Sequence, residues 1–189
     1  MEGKLKYQVL EGELALINDP DIQDWTLRTL QKVPEYFWYA PTSMTGKYHP
    51  ACSNGRAGLI IHVKRVVYLA NKICHAWGIF AQERDIVLAS CILHDIAKCP
   101  PGTPYIEHEN HPINAAGYFA KGGTPGVVNM IDSCVRFHMG RWTPKAIAKE
   151  IQDYELLELA VYTADYLSSL KDLETPRDND IREIKEGKV

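Results

Sequence analysis

The sequence lacks the features that mark secreted, disulfide-bonded or membrane-spanning proteins. Its five cysteines are odd in number and none forms a C-x-x-C pair, so we expect no disulfide framework. No segment reaches about 18 uncharged apolar residues, the length that a membrane-spanning helix needs. The opening residues contain no uninterrupted apolar stretch, so we predict no signal peptide. These absences indicate a cytoplasmic protein with reduced cysteines and no membrane partner.

An excess of positive charge is also absent. The 21 lysines and arginines against 24 aspartates and glutamates give a formal net charge of −3. A dedicated nucleic-acid-binding protein usually carries a basic surface, so we expect no stable nucleic-acid partner. A small acidic substrate stays open, because a bound metal ion adds positive charge that a residue count omits. Association into an oligomer also stays open.

The length and composition suit one globular unit. The chain has 189 residues, of which 46% are hydrophobic and 24% charged, the usual balance for a protein with a buried core. No repeat or low-complexity stretch interrupts it. We therefore predict a single domain over residues 1–189, with a core of about 22–173 and a charged tail over 175–189.

The apolar residues recur at helical spacing, and no segment shows the alternation of a strand. This pattern predicts an all-α fold, a compact helical bundle. Glycine and proline mark several helix ends, such as Gly78 and the Pro100-Pro101-Gly102 turn. Residues 1–19 stay unassigned, and residues 36–55 are predicted to form a loop. Helices are predicted over about 22–33, 57–77, 82–98, 111–121, 124–138 and 154–173, with a short segment over 143–151. Either Asp19 or Asp21 can cap the first of these helices.

Three histidines and one aspartate share the apolar faces of four different predicted helices. A lone histidine is more often a satisfied or exposed residue than a metal ligand, and a lone buried carboxylate is costly. Four such side chains pointing inward together call for a shared partner, which a metal ion supplies. These residues are His62, His94, His138 and Asp165. His75 lies thirteen residues after His62 on the same helix, about 220° around it, so we expect it to face away.

The His94-Asp95 dipeptide is the most informative pair. Adjacent helical residues point about 100° apart, so both can bind one centre only at the edge of the helix. Asp95 has two carboxylate oxygens and is able to bridge two ions. Lys98 follows on the same surface, where its ammonium can hold a phosphate oxygen. The alternative for Lys98 is a last-turn lysine favoured by the helix dipole.

The ordered set of His62, His94-Asp95 and Asp165 resembles the signature of the HD superfamily of metal-dependent phosphohydrolases. The resemblance runs from about Ile22 to Leu173. HDIAK is similar to the HD-x-x-K form of some members, and HENHPINAAGYF and VRFHMGRW are similar to the extra-histidine segments of members that hold two metals. The resemblance therefore implies that His111 and His138 complete a binuclear site. It implies two divalent transition-metal ions (Mn, Fe, Co or Ni), with Mg also open.

The stretch FWYAPTSMTGKYHPACSNGRAGLIIHVKRV resembles the segment leading into the HD domain of bacterial 3′–5′ exoribonucleases that pair an OB fold with an HD domain. The chain departs from them because it has no room for an OB domain, and Met139 replaces the second histidine of their His-His-Gly. It departs from HD-GYP proteins because no GYP follows His138. We therefore expect a small nucleotide or a short oligonucleotide as the substrate rather than a long RNA.

The resemblance implies hydrolysis of phosphodiester or phosphomonoester bonds by a metal-activated water. The catalytic residues would be Asp95, Lys98 and His108. His108 would donate a proton to the leaving oxygen; the alternative is a solvated loop histidine.

Substrate-binding residues are expected around the centre. Lys98 would position the phosphate, with Arg141 beside His138 as a further candidate. Arg56, together with His49, would line the entrance. Trp142 would stack on a base, the alternative being a rim aromatic that covers the core.

Two other functions are compatible with the same motifs. One is a nucleoside 5′-monophosphatase or dNTP triphosphohydrolase, which commonly uses a single metal. The other is a catalytically inactive HD domain that acts as a regulatory or interaction module. Loss of a core ligand would mark that module, whereas all core ligands are present here.

Overall fold

The computed structural model describes residues 6–43, 45–99 and 109–180. Within these ranges the chain forms α-helices and short 3₁₀ turns and no strand, which confirms the predicted all-α fold. None of these helices is long and apolar enough to cross a bilayer. The helices are α1 (Glu11–Leu14), α2 (Pro20–Leu30), α3 (Gly58–Trp77), α4 (Ala81–Leu93), α5 (His111–Asn114), α6 (Pro125–Phe137) and α7 (Leu156–Ser169).

Helix α4 lies at the centre of the bundle. Every residue from Asp85 to Leu93 is buried, as expected of a helix that is apolar on all sides. It packs against α2, α3, α6 and α7, and α3 in turn packs against α7. The C-terminal end of α4, where the His94-Asp95 dipeptide follows, therefore points into the middle of the surrounding helices.

The segment before α3 was predicted as a loop, and it is held in place by backbone contacts. The amide of Ala57 donates to the carbonyl of Tyr39 (2.9 Å), and the amide of Leu59 donates to the carbonyl of Ala40 (3.0 Å). At Gly58 a β-carbon would lie 1.8 Å from the carbonyl oxygen of Ser53, so only glycine allows this approach. The loop is thus fixed to the start of α3. Its 3₁₀ turn Glu35–Trp38 also adds three buried aromatic side chains to the core.

Helix α4 ends at Leu93, so the prediction that it continues to Lys98 was wrong. Beyond Leu93 the chain makes tighter turns, in which the amide of Ile96 bonds to the carbonyl of Leu93 and the amide of Lys98 to that of Asp95. The Tyr36 hydroxyl donates to the carbonyl of Ile96 (2.8 Å). This contact with a distant aromatic residue takes a carbonyl that a continuing helix would use.

The predicted helix over 111–121 was also too long. α5 is a single turn, followed by the 3₁₀ turn Ala115–Tyr118. The backbone of Ala120 bonds to α2 on both sides: its carbonyl accepts from Trp25 Nε1 (2.8 Å) and its amide donates to Thr29 Oγ1 (3.0 Å). These bonds hold the chain in an extended path toward α6.

Two further helices end before the predicted positions. α2 stops at Leu30 rather than near residue 33. Of its two candidate caps, Asp19 accepts from the amides of Asp21 and Ile22. α7 covers Leu156–Ser169 rather than 154–173. Its end is set by Arg65 on α3, whose guanidinium donates to the carbonyls of Ser168 (3.1 Å) and Leu173 (2.7 Å). The predicted extents of α3 and α6 agree with the structure within about two residues.

Candidate metal centre

Six side chains meet where the ends of several helices converge. They lie on, or directly after, five different helices, so the packing of these helices sets their positions. His62 is within α3, His94 caps the end of α4 and Asp95 follows it, His111 begins α5, His138 caps the end of α6, and Asp165 is within α7. The four histidines and Asp95 are each at most 2% exposed.

His62, His94 and Asp165 form one part of the cluster, which we call the α3–α7 half. The Nε2 atoms of His62 and His94 are 3.2 Å apart. Asp165 Oδ1 lies 3.0 Å from His62 Nε2 and 3.8 Å from His94 Nε2. The three donor atoms therefore surround one small space.

His111 and His138 form the second part, which we call the α5–α6 half. Their Nε2 atoms are also 3.2 Å apart. Asp95 Oδ1 lies 3.0 Å from His111 Nε2 and 3.6 Å from His138 Nε2.

Asp95 connects the two halves. While Oδ1 faces the α5–α6 half, Oδ2 lies 3.4 Å from His94 Nε2 and 3.7 Å from His62 Nε2. Oδ1 is buried and accepts no hydrogen bond of standard geometry from the described residues. The rings of His94 and His138 are in contact, with centroids 5.0 Å apart. The six donors thus form one continuous cluster with a carboxylate across its middle.

The hydrogen bonds on the far side of two imidazoles determine where their protons lie. His94 Nδ1 is 2.8 Å from the carbonyl oxygen of Cys91, and His138 Nδ1 is 2.6 Å from that of Val135. A carbonyl oxygen can only accept, so both rings carry the proton on Nδ1. Their Nε2 lone pairs therefore point into the cluster, as metal ligation requires.

His62 is oriented in the same way through Ser168. The Ser168 hydroxyl donates to the carbonyl of Asp165 (2.8 Å), so its oxygen accepts from His62 Nδ1 (3.1 Å). His62 Nε2 then presents a lone pair to His94 Nε2 and to the Asp165 carboxylate. Electron-rich atoms at these separations repel one another unless a cation lies between them.

The donor spacing fits a metal ion. Donors at about 2.1 Å from one ion are about 3.0–3.4 Å apart in octahedral or tetrahedral coordination. The shortest donor separations in both halves are 3.0 and 3.2 Å.

The electrostatic environment favours the protonation states in which these side chains bind metal ions. Burial alone would raise the pKa of Asp95, but Lys98 and His94 lower it well below its usual range. The same holds for Asp165, where His62 outweighs the effect of burial. Burial lowers the pKa of His62 and of His111. Two ionised carboxylates therefore face two neutral imidazoles, the protonation states that bind divalent metals.

Burial also lowers the pKa of His94, but Asp95 and Asp165 outweigh it and raise the pKa overall. The two carboxylates thus favour positive charge at His94, which a second proton on Nε2 supplies in the absence of a metal. A cation bound at Nε2 would take the place of that second proton.

A comparison with protein-family models identifies the fold. The model of the HD domain matches residues 59–170, well over half of the chain and all six clustered side chains. The chain belongs to the HD-domain family. No curated protein and no solved structure gives a significant match to the chain. HD domains bind divalent metals and are typical of metal-dependent phosphohydrolases, and the buried His/Asp cluster of this HD domain agrees with that family property.

The residues predicted to bind substrate differ in their burial and in their contacts. Lys98 is buried, with Nζ 2.8 Å from Asp95 Oδ2. Arg56 is exposed, and its guanidinium lies over the ring of Tyr39. Arg141 and Trp142 follow His138 on an exposed 3₁₀ turn, and Trp142 is 72% exposed.

Two predictions concern histidines outside the cluster. His108 lies outside the described residues, so its suggested role as a proton donor stays a prediction. His75 is exposed on α3, which confirms that it faces away from the cluster.

Sequence reasoning missed the residues that support the ligands of this HD domain. Ser168 orients His62, and Arg65 ties α3 to α7 through Ser168, Leu173 and the carboxylate of Asp178. Arg65 is fully buried. Its signal in the sequence was the charged pair Lys64-Arg65 between Val63 and Val66 in a largely apolar helix. Ser168 gave none.

Proposed function

We propose that this HD domain is a hydrolase that cleaves phosphomonoester or phosphodiester bonds of nucleotides or short oligonucleotides with two divalent metal ions. The observation that carries the proposal is the position of Asp95. One of its oxygens faces His62 and His94, and the other faces His111 and His138. A carboxylate shared in this way is the natural bridge of a two-metal site.

The proposed ligands are the residues of both halves together with Asp95. Bound ions would lower the pKa of a water molecule and neutralise the charge of the phosphoryl oxygens. Imidazole and carboxylate donors suit Mn, Fe, Co and Ni, and Mg is a further candidate.

Lys98 has a defined part in this proposal. Its ammonium is within 2.8 Å of Asp95 Oδ2, so it fixes the orientation of the bridging carboxylate. It also keeps a positive charge beside the space that a phosphate would enter. Because Lys98 is buried, that charge is weakly screened by solvent.

The proposed substrate class follows from the surface next to His138. Arg141 and the highly exposed Trp142 lie on the short 3₁₀ turn Gly140–Trp142, close behind His138 in the sequence. A guanidinium recognises phosphate, and an exposed indole stacks on a nucleobase. Together they favour a substrate that carries both groups, such as a nucleotide.

The experiment is a paired measurement of metal content and substrate range. Elemental analysis of the purified protein should find two transition-metal ions per chain. Mn²⁺-supplemented protein should then hydrolyse at least one class in a panel of mono-, di-, tri- and cyclic nucleotides, short oligonucleotides and aryl phosphates. One ion per chain with activity on monophosphates or triphosphates would favour a single-metal nucleotidase or triphosphohydrolase. Neither metal nor hydrolysis would indicate a regulatory or interaction module.

A further inference from the structure

A fifth histidine lies against the metal centre without belonging to either half. The ring of His49 contacts that of His62 edge-on, with centroids 5.2 Å apart and planes at 86°. His49 is in none of the groups of described side chains whose donor atoms are close enough to share an ion. It therefore adjoins the centre from the side of the loop that precedes α3.

The Nδ1 atom of His49 is buried and has no hydrogen-bond partner among the described residues. An unsatisfied buried polar atom is costly, and in a native fold it calls for an explanation such as a bound ligand. An imidazole Nδ1 can carry a proton and donate a hydrogen bond, so an acceptor is the kind of partner that this atom fits.

The two ends of the loop that carries His49 are joined to each other and to α3. Thr42 Oγ1 lies 2.9 Å from the carbonyl oxygen of Ser53 and 2.8 Å from that of Gly58. The tight approach of Gly58 to Ser53 closes the loop onto α3, the helix that also carries His62. Fixing the ends of a loop in this way limits the positions that a side chain on it can take, which favours a binding role.

We propose that His49 is a substrate-binding residue whose Nδ1–H donates a hydrogen bond to a phosphoryl oxygen of the substrate. This inference rests on the proposed function for the identity of the ligand. A phosphoryl oxygen only accepts hydrogen bonds, so it matches an imidazole that carries a proton on Nδ1. Its negative charge also suits a position within reach of the Lys98 ammonium.

The test compares three substitutions of His49 in the metal-loaded protein, with inorganic phosphate as the probe. Asn places an amide nitrogen close to the position of Nδ1, whereas Ala and Phe have no donor. Calorimetry should show phosphate affinity reduced about tenfold to a hundredfold in His49→Ala and His49→Phe, as for loss of a hydrogen bond to a charged group. His49→Asn should recover most of the affinity. Elemental analysis should show unchanged metal content in all three, and the exposed His75→Ala is the control.

Several outcomes would overturn the inference. Unchanged phosphate affinity in His49→Phe would exclude the hydrogen bond. Metal loss in parallel with phosphate loss would make His49 a ligand or a structural residue, and failure of His49→Asn to recover would remove the donor role. If the wild-type protein binds phosphate through His49 but hydrolyses nothing, the proposed function fails and the phosphate site stands. If the His49 variants hydrolyse the substrate as fast as the wild-type protein does, only this inference fails.

Discussion

The two halves of the metal centre have similar donor spacing but different support. The α3–α7 half stands on long helices that pack against one another around α4. In the α5–α6 half, His138 caps a long helix, whereas His111 begins a helix of a single turn.

Side chains from distant parts of the chain support the ligands of the α3–α7 half. Ser168 holds His62, and the buried Arg65 joins the end of α7 to α3. Ligands that are already oriented lose less conformational entropy when an ion binds. We therefore expect the α3–α7 half to retain its ion more tightly than the α5–α6 half.

The largest effect is expected from Asp95→Ala, which removes the group common to both halves. Both ions should be lost and hydrolysis abolished, because every remaining donor set would lack its shared carboxylate. Helicity should stay close to that of the wild type, since the substitution lies beyond the end of α4. Elemental analysis and circular dichroism check the two parts. Exposed Asp172→Ala is the matched control, and a metal-loaded, active Asp95→Ala variant would refute the two-metal proposal.

The next largest effect should separate the halves. His111→Ala should release the ion of the α5–α6 half and leave one ion per chain. His62→Ala should reduce the metal content further, because it disrupts the half that we expect to bind its ion more tightly. Metal content after dialysis against a weak chelator measures this order. Equal losses from the two variants, or a larger loss from His111→Ala, would show that the extra support of the α3–α7 half has no effect on retention.

Four of the six clustered side chains could be predicted from helical periodicity alone. His62, His94, His138 and Asp165 lie in or at the end of helices long enough for their apolar faces to be recognised. His111 begins a helix of one turn, which is too short for a periodic pattern, so only the family resemblance indicated it. Periodicity thus identifies ligands on long elements and misses those on short ones.

The supporting contacts could not be predicted because they depend on how distant segments cross. His62 and Ser168 are 106 residues apart in the sequence, and Arg65 and Ser168 are 103 apart. The end of α4 was misplaced for a similar reason, since the Tyr36 hydroxyl binds the carbonyl of Ile96, 60 residues away. Local propensity contains no information on such contacts.

Ser168→Ala tests the support of the α3–α7 half without touching a ligand. It removes the acceptor of His62 Nδ1–H, so the imidazole is less firmly held in its ligating orientation. Loss of a residue in this role typically reduces metal affinity by about tenfold to a hundredfold. Metal competition titrations measure the effect, with neighbouring Ser169→Ala as the control. An unchanged affinity would mean that packing alone orients His62.

The smallest effect is expected from the ion pair between Asp178 and Arg65 of α3. Burial opposes ionisation of Asp178, but its bonds with Arg65 and Thr175 lower its pKa below the usual value. A lowered pKa in the folded state stabilises the protein above the unfolded-state pKa of about 3.9, and this contribution is lost as the pH falls through the folded-state value. Asp178→Asn should therefore reduce the urea midpoint at neutral pH, and the difference from wild type should narrow below about pH 4. The exposed Asp172→Asn should show no such narrowing. The difference in urea midpoint between Asp178→Asn and wild type could instead be constant with pH. Arg65 would then hold this segment through the carbonyl of Leu173 rather than through the charge of Asp178.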